Sequence, residues 1–525
     1  MKSNLASSQT VRKILAIGLD AAEPVLIEKW MEEGYLKNLA SLRLKGSFGR
    51  LNSSADWLAG SPWPTFYTGT LAGKHGFYHY LQWKTDKMDF ERPNPEWIPV
   101  VPFWRKLNNN FNVIAVDVPL TFPPESFNGI EISNWASHDR IYPPASFPKD
   151  KINWVIKNFG KPPISDEVGG LQEISSLLKV RDELIFANQK EADLVSALIK
   201  NEIWDLFLCC FTSTHRGGHK FWDTVNIKGY SSEEQKLQFR NALRDIYQSC
   251  DEAIGKILDC INEDITIIIF ALHGMGPNTT LADKLLPQMI SNILNDEKKS
   301  NKNGNDNYLK KIRKLIPLEW RSNLRKLLPV RLQDKMTAYW RMGGTDWSKT
   351  KIINLLADLQ GYIRINLKGR EKDGIVEEGE EYDKLCNQLI KGLVTFKDPE
   401  TSEPVIESIK RKDELFIKGK GFDNLPDLLV KWKYKAASSY KKIVSSEYGE
   451  LEWPMPGLNP DGRSGNHHPE GFVLAAGENI KINSTFEKKH IVDLAPTILH
   501  LLGTSIPEDY DGKVIQEILR EELTS

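Results

Sequence analysis

The sequence predicts an α/β fold, a doubly wound, mainly parallel sheet flanked by helices, with a helical insertion. Three observations predict it: short continuous apolar runs, amphipathic stretches alternating with them, and one basic segment of helical periodicity that interrupts the pattern. The first run, Ile14-Leu15-Ala16-Ile17-Gly18-Leu19, ends at Asp20. A continuous rather than alternating run suits a strand buried on both faces of a parallel sheet. Pro24 then opens an amphipathic helix with Val25, Leu26, Ile27, Trp30 and Met31 as its apolar positions. Similar runs recur at 112–118, 205–211, 265–272 and 427–430, mostly alternating with helical stretches. That alternation implies a doubly wound sheet. In such sheets ligands bind beyond the carboxyl ends of the strands, where Asp20, Thr214, His215 and His273 all fall.

The basic segment is the exception. From Lys298 to Lys335 there are twelve Lys/Arg against three Asp/Glu, with an apolar stripe of Tyr308, Leu309, Ile312, Leu315 and Ile316. The expected organisation is therefore a first part of the core at 10–276, a basic helical insertion or cap at 277–347, and a second part of the core at 348–525. Two roles are open for the insertion: drawing an anionic substrate toward the cleft, or contact with a membrane surface.

Composition narrows the functional class. A chain of 525 residues with 40% hydrophobic and 26% charged residues can bury a large core, and a net charge of −1 gives no drive toward nucleic acid. Five cysteines without CxxC spacing argue against a disulfide scaffold and a cysteine zinc site. The first twenty residues lack a signal-type apolar region, and the longest apolar run, 265–272, is far short of the ~20 residues of a membrane span. A cytoplasmic protein is expected.

Five of the ten histidines lie in three glycine-flanked segments. His215 and His219 occur in Thr214-His215-Arg216-Gly217-Gly218-His219, where the paired glycines favour a strand-to-helix turn over a regular helix. His273 follows an apolar strand in Ala271-Leu272-His273-Gly274-Met275-Gly276. His467 lies in Gly465-Asn466-His467-His468-Pro469-Glu470-Gly471, just before another strand. Imidazoles gathered at strand ends with a carboxylate suit a metal, zinc first, with manganese or iron as competitors.

The order of these motifs resembles that of the alkaline phosphatase superfamily, in particular its type I phosphodiesterase/nucleotide pyrophosphatase branch. The shared features are the strand-terminal Asp20, then Trp63-Pro64-Thr65-Phe66-Tyr67-Thr68-Gly69 with Gly73-Lys74-His75-Gly76, then the histidine pair, His273-Gly274-Met275-Gly276 and the late Gly465 segment. The resemblance implies a hydrolase of phosphate mono- or diesters, such as a nucleotide or another small phosphate-bearing anion, using one or two metal ions. It implies Asp20, His219, His273 and His467 as metal ligands.

Three positions depart from the pattern. The family's usual Asp is His215, the Asp of its S-D-H-G segment is Leu272, and the Ser/Thr nucleophile expected nine residues before Thr68 falls on Ala59. His215 completes a three-histidine set with His219 and His467, which would suit a metal-bound hydroxide as nucleophile. Ser61, followed by Pro62, is the alternative nucleophile, or simply a helix cap. Lys74, Asn134 and Arg370 are candidate substrate contacts, each with an ordinary turn or loop role as its rival. A metal-dependent transferase, another ester hydrolase and a non-catalytic binding descendant remain alternatives. A dinucleotide-binding reading fails because Gly18 is not followed by x-G-x-x-G.

Overall fold

The computed structural model describes residues 13–520 apart from 138–141, 166, 168–169, 225–228, 262–263, 296–331, 333–334 and 337–344. The charged part of the basic insertion, with both of its proposed roles, lies almost wholly outside the described residues. Among the described residues no helix is long and apolar enough to cross a membrane.

A nine-stranded mixed sheet forms the centre of the molecule. Its middle is five parallel strands in the order Thr266–Ala271, Ile14–Leu19, Leu206–Phe211, Val113–Val116 and Gly129–Ser133. Strand Glu470–Ala476 runs antiparallel beside Thr266–Ala271 and leads to Gly46–Asn52 and Ser484–His490, while Ala145–Phe147 closes the other edge. Every residue of Ile14–Leu19 and of Leu206–Phe211 is buried, as their continuous apolar sequences require. Alternate side chains feed two cores. Leu15, Ile17 and Leu19 pack on one face with the helices Ile174–Asn201 and Glu233–Leu258. Ile14 and Ala16 pack on the other with Trp63, Phe66 and the C-terminal helix Leu494–Leu501. Helix Pro24–Glu32 forms as expected and buries Ile27, Trp30 and Met31, but turns Val25 to solvent.

The chain does not rejoin this sheet at residue 348. It first builds a separate antiparallel sheet from Ile352–Asn354, Gly361–Ile365, Leu428–Trp432 and Ile406–Arg411, and returns to the large sheet only at Glu470. Helices Leu286–Ile293 and Glu380–Leu393 cover the small sheet through Leu286, Met289, Ile290, Leu385, Cys386 and Leu389, giving it a core of its own.

A buried ion pair holds the small sheet together. Asp427 accepts from Arg370 Nη1 at 2.6 Å and Nη2 at 2.7 Å, from the amide of Ile365 at 2.7 Å and from Tyr382 at 3.2 Å. Burial works to raise the Asp427 carboxyl. The bidentate Arg370 guanidinium more than offsets this and holds it well below the usual carboxylate range. A folded-state pKa below the unfolded one contributes stability above the unfolded value of ~3.9, and that contribution is lost as the pH falls. The small sheet should therefore weaken on acidification. Asp427→Asn removes the bidentate partner of Arg370 but leaves it Glu371 at 2.8 Å, and should cost about 3 kcal/mol in urea unfolding at pH 7. The wild-type advantage over this variant should shrink as the pH is lowered below 4.

Candidate metal centre

Three adjacent parallel strands end side by side, and their ends assemble the site. Gly18 pairs with both Cys210 and Phe270, so Asp20, the start of helix Ser213–Phe221, and His273 emerge at the same level. The Asp20 amide donates to Phe211 O at 2.9 Å and Thr214 Oγ1 donates to Asp20 O at 2.6 Å, which ties the first two ends together. The fourth contributor arrives through a short antiparallel pairing of Gly274–Pro277 with Gly465–His468, in which Met275 faces His467.

His215 and His219 lie on a regular helix, not on the turn that Gly217 and Gly218 suggested. The glycines are there for close approach. A Cβ on Gly217 would lie 2.9 Å from Ile246 Cδ1, and one on Gly218 would lie 2.6 Å from Met275 Cγ. Packing against helix Glu233–Leu258 and strand Gly274–Pro277 selects glycine here, against its low helix propensity. The i, i+4 spacing then puts both imidazoles on one face.

The nitrogens converge. His215 Nε2 lies 2.9 Å from His219 Nε2 and 2.9 Å from His467 Nε2. The opposite nitrogens decide what these atoms carry. His215 Nδ1 lies 2.7 Å from Asp20 Oδ2, and His219 Nδ1 lies 2.9 Å from the Gly465 carbonyl. Both partners are acceptors, so each Nδ1 holds the proton and each Nε2 presents a lone pair. Two lone pairs facing at this distance repel unless a cation lies between them. A proton is disfavoured: burial, followed by neighbouring positive groups, holds His219 and His467 well below the usual histidine range. A divalent ion with three imidazoles fits the donor set, and the Nδ1–H contacts to a carboxylate and a carbonyl are those that orient metal-binding histidines. Three nitrogens around a tetrahedral ion with bonds of ~2.0–2.1 Å are separated by roughly 3.3 Å, a small widening of the observed spacing.

The other expected ligands stand beside this trio. Asp20 spends Oδ2 on His215 and Oδ1 on Trp63 Nε1, at 2.8 Å, and its Oδ1 lies 3.7 Å from His273 Nε2. Trp63 reaches it because Gly18 has no Cβ, which would fall 2.8 Å from the indole. The His273 ring centroid is 4.5 Å from that of His467. Among the described residues, the group able to hold one ion is His215, His219 and His467.

The expected catalytic and substrate residues have other partners. Ser61 is fully buried at the start of helix Pro62–Thr68, with Oγ 2.9 Å from the Leu58 carbonyl and 2.8 Å from Ser54 Oγ, and it makes no side-chain cap. Ala59 donates its amide to Tyr362 Oη at 3.1 Å. Lys74 holds the C-terminal turn through Asp511 and the Asp509 carbonyl. The neighbouring His75 faces Thr65, and burial lowers its pKa to about 3. Arg370 is bound to Asp427 in the small sheet. Asn134 follows the strand Gly129–Ser133 at φ 64°, buried, with its Nδ2 unpaired.

Sequence reasoning missed Trp63 as the partner of Asp20, and it missed Asp358. Asp358 lies between the first two strands of the small sheet, yet its carbonyl accepts from Asn466 Nδ2 at 2.7 Å, next to His467. Its carboxylate lies 3.4 Å from His79 Nε2 and 4.0 Å from Arg463 Nη1. Nothing in its local sequence, Ala357-Asp358-Leu359-Gln360, signals this, because the contact spans more than a hundred residues.

A mixed α/β sheet with three buried histidines converging at its strand ends is an arrangement able to hold a metal ion. Residues 14–442 match the type I phosphodiesterase / nucleotide pyrophosphatase family, and the chain belongs to that family. Its fold is that of a phosphoester hydrolase. The chain is 30% identical over 81 residues to a 2,3-bisphosphoglycerate-independent phosphoglycerate mutase of Gracilaria tenuistipitata var. liui, 15% of this chain and 16% of that protein. The match thus spans about a sixth of that relative. Solved structures similar to it include human ectonucleotide pyrophosphatase / phosphodiesterase 5, at 11% identity and TM-score 0.47 over 97% of this chain and all of that one. The murine counterpart, an inactive form in complex with AMP, aligns over the same shares at 12% identity and TM-score 0.47.

The close approach at Gly218 has a measurable consequence. Gly218→Ala should push Met275, and with it His467, away from the helix. The expected result is a loss of about 1–3 kcal/mol in thermal unfolding, the usual cost of overpacking.

Proposed function

We propose that the chain is a metal-dependent hydrolase of small phosphate esters that holds one divalent ion, zinc first, at His215, His219 and His467. The observation that supports this reading is the set of three buried Nε2 atoms, two of them with lone pairs fixed by the acceptors behind them. A bound divalent ion would supply Lewis-acid chemistry, polarising a phosphoryl oxygen and acidifying water. The chain supplies the rest. Asp20 keeps the His215 proton on Nδ1, and Gly465 O does the same for His219. Trp63 Nε1 occupies the remaining Asp20 oxygen, so this carboxylate orients an imidazole.

Water is the attacking group in this reading. Ala59 offers no hydroxyl, and Ser61 Oγ is buried against Leu58 and Ser54. The family match favours a phosphodiester over a monoester as the substrate.

Elemental analysis and chromogenic substrates test the proposal together. Wild-type protein should carry about one zinc per chain and cleave bis(4-nitrophenyl) phosphate faster than 4-nitrophenyl phosphate. His219→Ala should lose the ion and at least roughly a hundredfold in kcat/KM, a few kcal/mol of transition-state stabilisation. An unchanged metal content in that variant would remove the idea.

Ser61→Ala separates the two nucleophiles. It should stay within about threefold of wild type, whereas a loss beyond roughly a hundredfold, with metal and fold intact, would make Ser61 the nucleophile.

A further inference from the structure

We infer that Asp358 is a positioning residue for the metal centre: its carboxylate accepts the Nδ1–H of His467 when His467 is a ligand, and so ties the small sheet to the site. The inference rests on the metal-binding reading above and concerns a side chain that the family pattern does not include.

The argument starts from an asymmetry among the imidazoles. His215 Nδ1 has Asp20, His219 Nδ1 has the Gly465 carbonyl, and His273 Nδ1 has the Gly274 carbonyl at 3.1 Å. His467 Nδ1 is buried and has no hydrogen-bond partner. A buried polar group left this way costs about 1–3 kcal/mol. A histidine that ligates a metal through one nitrogen almost always donates the other N–H to a carboxylate, a carbonyl or water. His467 therefore needs an acceptor.

Asp358 is placed to be that acceptor. Asn466 links the two residues: its Nδ2 donates to Asp358 O at 2.7 Å, and its Oδ1 accepts from the His467 amide at 2.8 Å. The backbones of Asp358 and His467 thus bracket one buried side chain. Asp20, the carboxylate beside His215, has both oxygens engaged. Asp358 has acceptor capacity to spare. Its contacts to His79 at 3.4 Å and Arg463 at 4.0 Å are long, and its side chain is 24% exposed, so it can turn. When the ring carries a cation on Nε2, its Nδ1–H becomes the stronger donor, and the contact is worth most in the loaded protein.

The position in the fold gives this contact a consequence. Asp358 belongs to the small sheet, whose Gln360 also donates to the Ala55 carbonyl at 2.6 Å and whose Tyr362 accepts from Ala59. Metal affinity is thereby coupled to the docking of the small sheet on the large one.

The test is zinc affinity of the full chain, by competition with a chromogenic chelator, for wild type, Asp358→Ala, Asp358→Asn and His219→Ala. Asp358→Ala should weaken zinc about 10–100-fold, the usual effect of losing an outer partner, on top of the modest fall in metal-free melting temperature that loss of its His79 contact brings. Asp358→Asn keeps a neutral acceptor and should recover part of the loss. The zinc-loaded wild type should show a slowly exchanging His467 Nδ1–H resonance that Asp358→Ala lacks. Wild-type affinity in Asp358→Ala, with binding abolished in His219→Ala, would overturn the role of Asp358 and leave the metal centre standing. Wild-type affinity in His219→Ala would overturn the metal centre itself. Equal losses in the Ala and Asn variants, with a metal-free melting temperature lowered well beyond that modest fall, would make Asp358 a structural residue of its turn.

Discussion

The 2.7 Å contact between Asp20 Oδ2 and His215 Nδ1 sets the protonation of the centre, and the rest of the site depends on it. Without an acceptor behind it, His215 could carry its proton on either nitrogen. With Asp20 there, the lone pair points at His219 and His467. The contact is buried, where a carboxylate and an imidazole N–H interact more strongly than in water. It is also rigid, because Asp20 sits at the end of a central strand with its amide bonded to Phe211 O and its carbonyl bonded to Thr214. A parallel sheet is what makes this economical: neighbouring strands end at one level, so a residue just past one strand meets a helix that starts just past the next.

Close packing supplies the second condition. Trp63 can reach Asp20 only over Gly18, and the two-histidine helix can lie against Met275 and Ile246 only because residues 217 and 218 lack a Cβ. Gly465 obeys the same constraint, since a Cβ there would lie 2.2 Å from the Gly218 carbonyl. That approach brings the Gly465 carbonyl to His219 Nδ1. Backbone contact and tautomer control are therefore one arrangement, in which small residues permit the approach and the carbonyl fixes the proton.

These same residues show what the sequence made legible. The strand ends at Asp20, His215 and His273 were readable because a continuous apolar run that stops at a polar residue is a local signal. The regular helix through Gly217 and Gly218 was not, because the packing partners that select glycine, Ile246 and Met275, are distant in sequence. Which sheet a strand joins was not legible for a related reason: single strands such as Gly361–Ile365 look alike whichever sheet they join. Arg370 has the composition of a phosphate-binding turn, and only the structure shows Asp427 occupying its guanidinium. Asp358 carried no signal at all, since its meaning comes from Asn466 and His467.

The departures from the family pattern fit together once charge is counted. An imidazole at 215 and leucine at 272 each remove a negative charge that the pattern would place near the metals. Leu272 is buried in the apolar core beneath the site, so the second position loses its polarity along with its charge. Asp20 then faces His215, while Glu23 accepts from the Met275 amide at 3.0 Å, so the carboxylates left at the strand ends are engaged with protein groups. The position of the expected hydroxyl changes with them: Ala59 is packed and hydrogen-bonded through its amide to Tyr362.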